Sequence, residues 1–341
     1  MFRPLAAALL LCLPVPALAS PPDNAPVDPV AAVVDQLILP GFDRLQTRSA
    51  ALDAAAAADC DPEAPALRAT YHDAFDAWVT VSHLRFGPTE TDNRAFSLAF
   101  WPDTRGFTSK TLAGLLASQD PAVTDPKSFA ELSIAGRGFY GMEYLLYDDR
   151  FREPADYACT LIRATAHDIA LTAAAIARDW HETYAPGMRS PGSEKSPYRT
   201  HEEAVQELFK AFTTGLQFTM DTRLGRPLGS FDRPRPKRAE ARRSGRSLRN
   251  IELSLGALRR HGVLPATNHP ALIKALNEGF DAADEALSRI EDPVFADLNN
   301  PSAWLRAEVL QQSIDLIREQ HGANLGAALG VASGFNALDG D

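Results

Sequence analysis

The sequence predicts an all-α protein built from two antiparallel helical bundles, and three observations carry that expectation. Apolar residues recur at three-and-four spacing over long windows. No sustained period-two alternation of the kind a sheet requires is present. Prolines fall between the periodic segments, where proline opens a helix but cannot continue one. The 341-residue chain also exceeds what one hydrophobic core usually serves, which favours two domains. The boundary falls at Pro186 to Pro197, a stretch holding Gly187, Ser190, Pro191, Gly192, Ser193 and Ser196. The expected division is an N-terminal bundle over 20–188 and a C-terminal bundle over 197–341.

Residues 1–19 read as an export signal. Arg3 supplies the positive start, Ala6 to Leu13 the apolar core, and Ala17-Leu18-Ala19 the small-residue cleavage site. The apolar core is too short to span a bilayer, and no later segment reaches the roughly 18–20 apolar residues a transmembrane helix needs. The expected location is the periplasm, extending to a peripheral place at the outer membrane. Helices are expected over 28–58, 64–84, 105–118, 127–146, 154–185, 199–223, 238–260, 269–290 and 301–320, with a short one over 323–336. The clearest stripes are Ala158, Leu161, Ile162, Thr165, Ile169, Ala173, Ile176 and Trp180, then Val205, Leu208, Phe209, Phe212 and Leu216, then Leu272, Leu276, Phe280, Ala283, Leu287 and Ile290. Breaks are marked at Asp61-Pro62, Gly87-Pro88, Trp101-Pro102, Asp120-Pro121, His269-Pro270 and Asn300-Pro301.

The formal net charge is −10, and loss of Arg3 with the signal makes it −11. That balance excludes a nucleic-acid partner, whose binding rests on a basic surface releasing counterions. Cys60 and Cys159 remain after processing, an even pair in an oxidising compartment and so a candidate disulfide.

Three segments hold the residue types that carry chemistry. In Gly138-Phe139-Tyr140-Gly141-Met142-Glu143, a carboxylate sits inside an apolar helical segment, and Tyr140 and Glu143, three apart, share a face. From Phe86 to about Thr104 runs a long irregular stretch with Trp101, Asp103 and, just beyond, Arg105; loops of that length inside a domain usually do something. Trp101 is expected to anchor the loop, Asp103 to cap the next helix, and Arg105 to reach back and hold Glu143 ionised. The third segment, Arg233 to Arg249, has eight basic residues against Asp232 and Glu240. Arg243 and Arg246, three apart on one expected helix face and followed by Ser247, would clamp an anion or Glu143 at a cleft between the bundles.

The eight histidines are scattered, and none forms His-x-x-x-His or His-Glu-x-x-His. No nucleophile elbow or phosphate loop is present.

These three segments, in this order, resemble the imelysin family, also classified as peptidase M75. Gly138 to Glu143 is similar to that family's Gly-x-His-x-x-Glu motif, with Tyr140 standing where the family has histidine. The resemblance implies an exported helical protein of the cell envelope, linked in several members to iron uptake and described in some as a metallopeptidase. A peptidase needs a metal on the motif histidine and glutamate to activate water. A neutral tyrosine, with a pKa near 10, is a poor replacement. The reading is therefore a non-catalytic binding or accessory protein with a ligand cleft lined by Tyr140, Glu143, Asp103, Trp101, Arg105, Arg243, Arg246 and Ser247. Tyr140 and Glu143 are its metal-ligand pair, for iron or another divalent or trivalent ion, because ferric iron prefers hard oxygen donors. The alternatives are an M75-type metallopeptidase with an altered metal site and a helical module that docks an envelope protein.

Overall fold

The computed structural model describes residues 26–331 and bears out the all-α class. Among these residues no strand forms, only one isolated bridge between Ser230 and Arg233. The export signal expected over 1–19 and the last residues of the helix expected over 323–336 lie outside the described residues.

Asp28 opens α1 (Pro29–Val33), its carboxylate accepting from the Val30 amide, with Pro29 in the first turn where its missing N–H costs nothing. A wide turn at Val34–Ile38 carries α1 into α2 (Leu39–Ala58) without a break. After α3 (Pro65–Val81) come the irregular stretch with α4 (Arg94–Leu98), then α5 (Phe107–Ser118) and α6 (Pro126–Ala130). Next are α7 (Gly138–Tyr147), the long α8 (Ala155–Asp179) and α9 (Ala185–Arg189). The remaining helices are α10 (His201–Gln217), α11 (Gly225–Leu228), α12 (Ser247–Val263), α13 (Pro270–Ser288), α14 (Pro301–Leu316) and α15 (Gly322–Leu329).

Two expected helices differ. The segment 127–146 is not one helix. Ser133 caps a short 3₁₀ turn, Ile134–Gly136, and the chain then bends at Arg137 before α7 begins. The helix expected over 238–260 starts only at Ser247, because residues 239–246 form a turn whose polar groups bond to other parts of the chain.

Helix α2 packs against α3 and α8, and α7 against α8; further on, α12 packs against α10 and α13, and α13 against α14. The two groups touch extensively. Helix α3 lies on α12, α1 lies on α10, and the buried apolar residues form one cluster running from Val30 to Val331. No helix among the described residues is long and apolar enough to cross a membrane.

Cys60, just past α2, is bonded to Cys159 in α8, across 99 residues. A bridge over so long a loop restricts the unfolded chain and is worth about 2–4 kcal/mol. Cys60→Ser with Cys159→Ser is expected to lower the urea midpoint accordingly; an unchanged midpoint would show the bond to be dispensable for stability.

Candidate functional site

The site is built on α7. Gly138 enters the helix at φ +66°, and a Cβ there would lie 2.3 Å from the carbonyl oxygens of Ser97 and Leu98. Only glycine allows both that conformation and that approach. Arg137, just before it, forms a buried two-pronged pair with Asp168 of α8, at 2.7 and 3.1 Å. The start of α7 is thus fixed against both the irregular stretch and α8.

From this seat Tyr140 and Glu143 both face residues 239–246. The Tyr140 hydroxyl donates to Glu240, whose second oxygen pairs with Arg223. Arg223 in turn donates to Ser82 Oγ at 3.2 Å. Tyr140, Glu240 and Arg223 are 6%, 1% and 4% exposed, so this is a buried network. Burial first, and then the Glu240 charge, push the Tyr140 phenol well above its usual 10, and it stays neutral. The Trp101 ring lies over Tyr140 with centroids 6.1 Å apart and meets Phe218 edge-on.

Glu143, 2% exposed, accepts from the Ser244 amide and the Ser244 hydroxyl, each at 3.0 Å, with the Arg243 guanidinium 3.9 Å away. Burial raises its pKa; the Ser244 bonds and the Arg243 charge oppose that without cancelling it. Arg243 sits 3.7 Å above the Tyr144 ring and donates to Asp148 at 3.2 Å. Asp148 is held down at about 2, chiefly by its hydrogen bonds from Arg150, against burial and with help from Arg243.

A third chain lies alongside. Arg246 donates to His72 Nδ1 at 2.9 Å, to Asp76, and to Asn250 at 3.1 Å. Arginine has no acceptor, so His72 Nδ1 must accept and the ring proton sits on Nε2, aimed at the Tyr147 hydroxyl 2.8 Å away. Ser247 closes the turn by donating to the Glu240 carbonyl at 2.5 Å.

The residues expected from the sequence separate into those brought together and those not. Tyr140, Glu143, Trp101, Arg243, Arg246 and Ser247 gather around the 239–246 turn. Asp103 caps α5, accepting from Phe107 N at 2.9 Å and Thr108 N at 2.8 Å. Burial pushes its carboxyl up, but these amides bring it below the usual range.

Arg105 does not reach Glu143. The Asp103 cap pins the backbone at this point, the Arg105 side chain is exposed, and Ser244 and Arg243 hold the glutamate instead. Arg243 and Arg246 do not share a helix face, since Arg243 lies in the turn and Arg246 precedes α12. Neither lines the large groove beside α12. The groove of about 690 Å³ between α2–α3 and α12–α13 is walled by Leu37, Pro40, Leu253, Ala257 and Leu287, with Arg44, Glu252, Arg260 and Asp284 among its charged residues.

Sequence reasoning missed Glu240, Arg223 and the His83–His261 pair, whose ring nitrogens are 3.0 Å apart. Glu240 did leave a trace, as one of two acids in a run of eight cations.

The donor set does not fit a bare metal ion at Tyr140 and Glu143. Their oxygens are engaged by different partners, and the guanidinium groups of Arg223 and Arg243 are part of the same networks. Among the described residues no three His, Cys, Asp or Glu side chains converge on one point.

The sequence profile of imelysin, peptidase M75, matches residues 38–321, most of the chain and both sides of this site. The chain belongs to the imelysin family. It is 21% identical over 313 residues to iron-regulated protein A of Synechococcus elongatus, covering 85% of this chain and 83% of that protein. An imelysin-like protein from Psychrobacter arcticum shares the fold with a TM-score of 0.72 at 18% identity, over 90% of this chain and 96% of the other. A structure described as an iron-regulated protein A precursor from Parabacteroides distasonis matches at a TM-score of 0.66 and 14% identity, with 90% and 96% covered. The matched span includes Gly138 to Glu143, the segment that resembles the family's motif.

Proposed function

We propose that this imelysin is an exported, periplasmic, non-catalytic binding or accessory protein of iron acquisition, which takes its ligand in the groove between α2–α3 and α12–α13. The observation that carries the non-catalytic reading is Tyr140. A metallopeptidase needs a metal-held water, and the motif position offers a neutral phenol already donating to Glu240. The iron link is supported by the likeness to iron-regulated protein A, and export by the signal pattern of residues 1–19 and the Cys60–Cys159 bond. On this reading the α7 motif is a joint. It fixes the 239–246 turn and so holds α12 in place as one wall of the groove.

The groove suits a ligand with an apolar body and polar ends, the usual character of small-molecule sites. Gly256 provides the test, because a side chain there would enter open space inside the groove. Residues 20–341 would be titrated with a ferric chelate that carries an apolar arm, and with bare ferrous and ferric ions as controls, beside Gly256→Trp, Tyr140→Phe and Glu143→Ala. The expected result is binding by the parent that Gly256→Trp weakens at least tenfold with the fold intact. Loss of binding in Tyr140→Phe and Glu143→Ala, with Gly256→Trp like the parent, returns the ligand to the motif. Chelator-sensitive cleavage of an unstructured protein substrate would establish the peptidase alternative.

A further inference from the structure

An acidic chain has carboxylates enough to pair its cations, and around the α7 motif most of the arginines are paired in this way. Arg137, Arg223, Arg243, Arg246 and Arg249 all have acid partners. The segment from Arg226 to Arg238 does not follow that pattern. Arg226, Arg233, Arg235, Lys237 and Arg238 form no ion pair with any described residue, although the chain carries a net charge of −10.

Arg226 is the informative member. It projects from α11, half-buried, with its guanidinium carbon 5.8 Å from the centre of the Trp101 ring. Its Nε is enclosed and has no hydrogen-bond partner. Its charged neighbour is another cation. The 3₁₀ turn Pro236–Arg238 packs against α11, and the Arg238 charge acts on Arg226. Burial first, and then Arg238, hold the Arg226 guanidinium below its ordinary pKa. Burying a cation without a partner is costly, and placing a second cation beside it adds to the cost. An arginine fork with a free donor, lying on an indole face beside a second arginine, is the arrangement that recognises an oxyanion.

We propose that Trp101, Arg226 and Arg238 form a binding site for a small multivalent oxyanion, a phosphate or a di- or tricarboxylate. The anion would accept from the terminal nitrogens of Arg226, whose Nε is enclosed, and neutralise both guanidinium groups. Arg235, whose backbone N–H donates to the Pro227 carbonyl at 2.8 Å, is held at the same place and adds to the positive field around it. This site is separate from the groove and does not depend on iron binding. It is coupled to the motif through one ring contact, because the Trp101 face that lies over Tyr140 belongs to the same indole.

The test is a calorimetric and fluorescence titration of residues 20–341 at low ionic strength with sodium phosphate and, separately, sodium citrate, with sodium chloride as the ionic-strength control. One saturable site is expected, weakened at least tenfold in Arg226→Gln and in Arg238→Gln. The emission change should disappear in Trp101→Phe while calorimetric binding persists in weakened form. The tighter of the two anions decides between phosphoryl and carboxylate chemistry. Melting temperature separates a ligand-binding role from a structural one. Without anion, Arg226→Gln is expected to melt no lower than the parent, since an unpartnered charge has been removed, and it should lose the rise in melting temperature that the anion gives the parent. The proposal is overturned if neither anion binds above the chloride control, if Arg226→Gln binds like the parent, or if only vesicles of anionic lipid bind.

Discussion

Glu240→Ala is expected to destabilise the protein by about 3–5 kcal/mol, because it leaves the Arg223 charge buried without its partner and the Tyr140 hydroxyl without an acceptor. The loss comes less from the ion pair itself than from the charge left behind. Arg223→Met with Glu240→Leu removes both charges and is expected to recover most of the deficit, leaving the unpartnered Tyr140 phenol, which Tyr140→Phe then removes. Urea unfolding of the single, double and triple variants checks this order. A single variant that unfolds at the parent's midpoint would mean that the buried pair contributes nothing to holding the turn against α7.

The second large effect concerns acidity. His83 and His261 face each other at 3.0 Å, His261 being 1% exposed and packed against Phe212. Two imidazoles share one hydrogen bond when one donates and the other accepts, and burial is what holds the pair neutral. Burial, joined for His83 by the charges of His261 and Arg223, lowers both below the usual 6.5, with His261 at about 3. In the unfolded chain both histidines protonate as pH falls through about 6.5, while the folded pair does not. Their contribution is therefore fully present above that value and is lost progressively below it, down toward pH 3. The slope is about 1 to 1.5 kcal/mol per pH unit for each excluded proton. Two units below 6.5 the loss from His261 is about 2–3 kcal/mol, and His83 adds to it in the same direction. His83→Gln with His261→Gln keeps a hydrogen-bonding pair that cannot titrate, and its stability should fall less steeply between pH 7 and 5. Parallel slopes for parent and variant would assign the acid response to other groups.

Much of the fold was legible because helices declare themselves locally. The stripe from Ala158 to Ile176 lies on α8, with Trp180 just past its end, and the prolines at 29, 65, 126, 270 and 301 stand in the first turns of their helices. The Asp103 cap was also readable, since a cap and its amides are a few residues apart. What escaped depends on distant partners. Residues 239–246 carry good helix formers, yet Ser244 is held by Glu143 about 100 positions earlier, and Leu248 N bonds to the Pro293 carbonyl. Those bonds satisfy the backbone outside a helix, and nothing local announces them. The same holds for the site. Tyr140 and Glu143 could be placed on one face from their spacing, but their partners, Glu240 and Ser244, lie on a segment whose conformation the spacing could not give. The Arg105 expectation failed for a local reason: the cap that fixed Asp103 also turned Arg105 outward.

The Cys60–Cys159 bond makes residues 60–159 a covalent ring. Inside that ring lie α7, with its motif, and the irregular stretch that brings Trp101 against it. A protease that cuts once within the ring releases no fragment. Both new ends stay tethered through α2 and α8, the nicked protein keeps its full mass until it is reduced, and Trp101 and Tyr140 remain parts of one molecule even where the backbone between them has been severed.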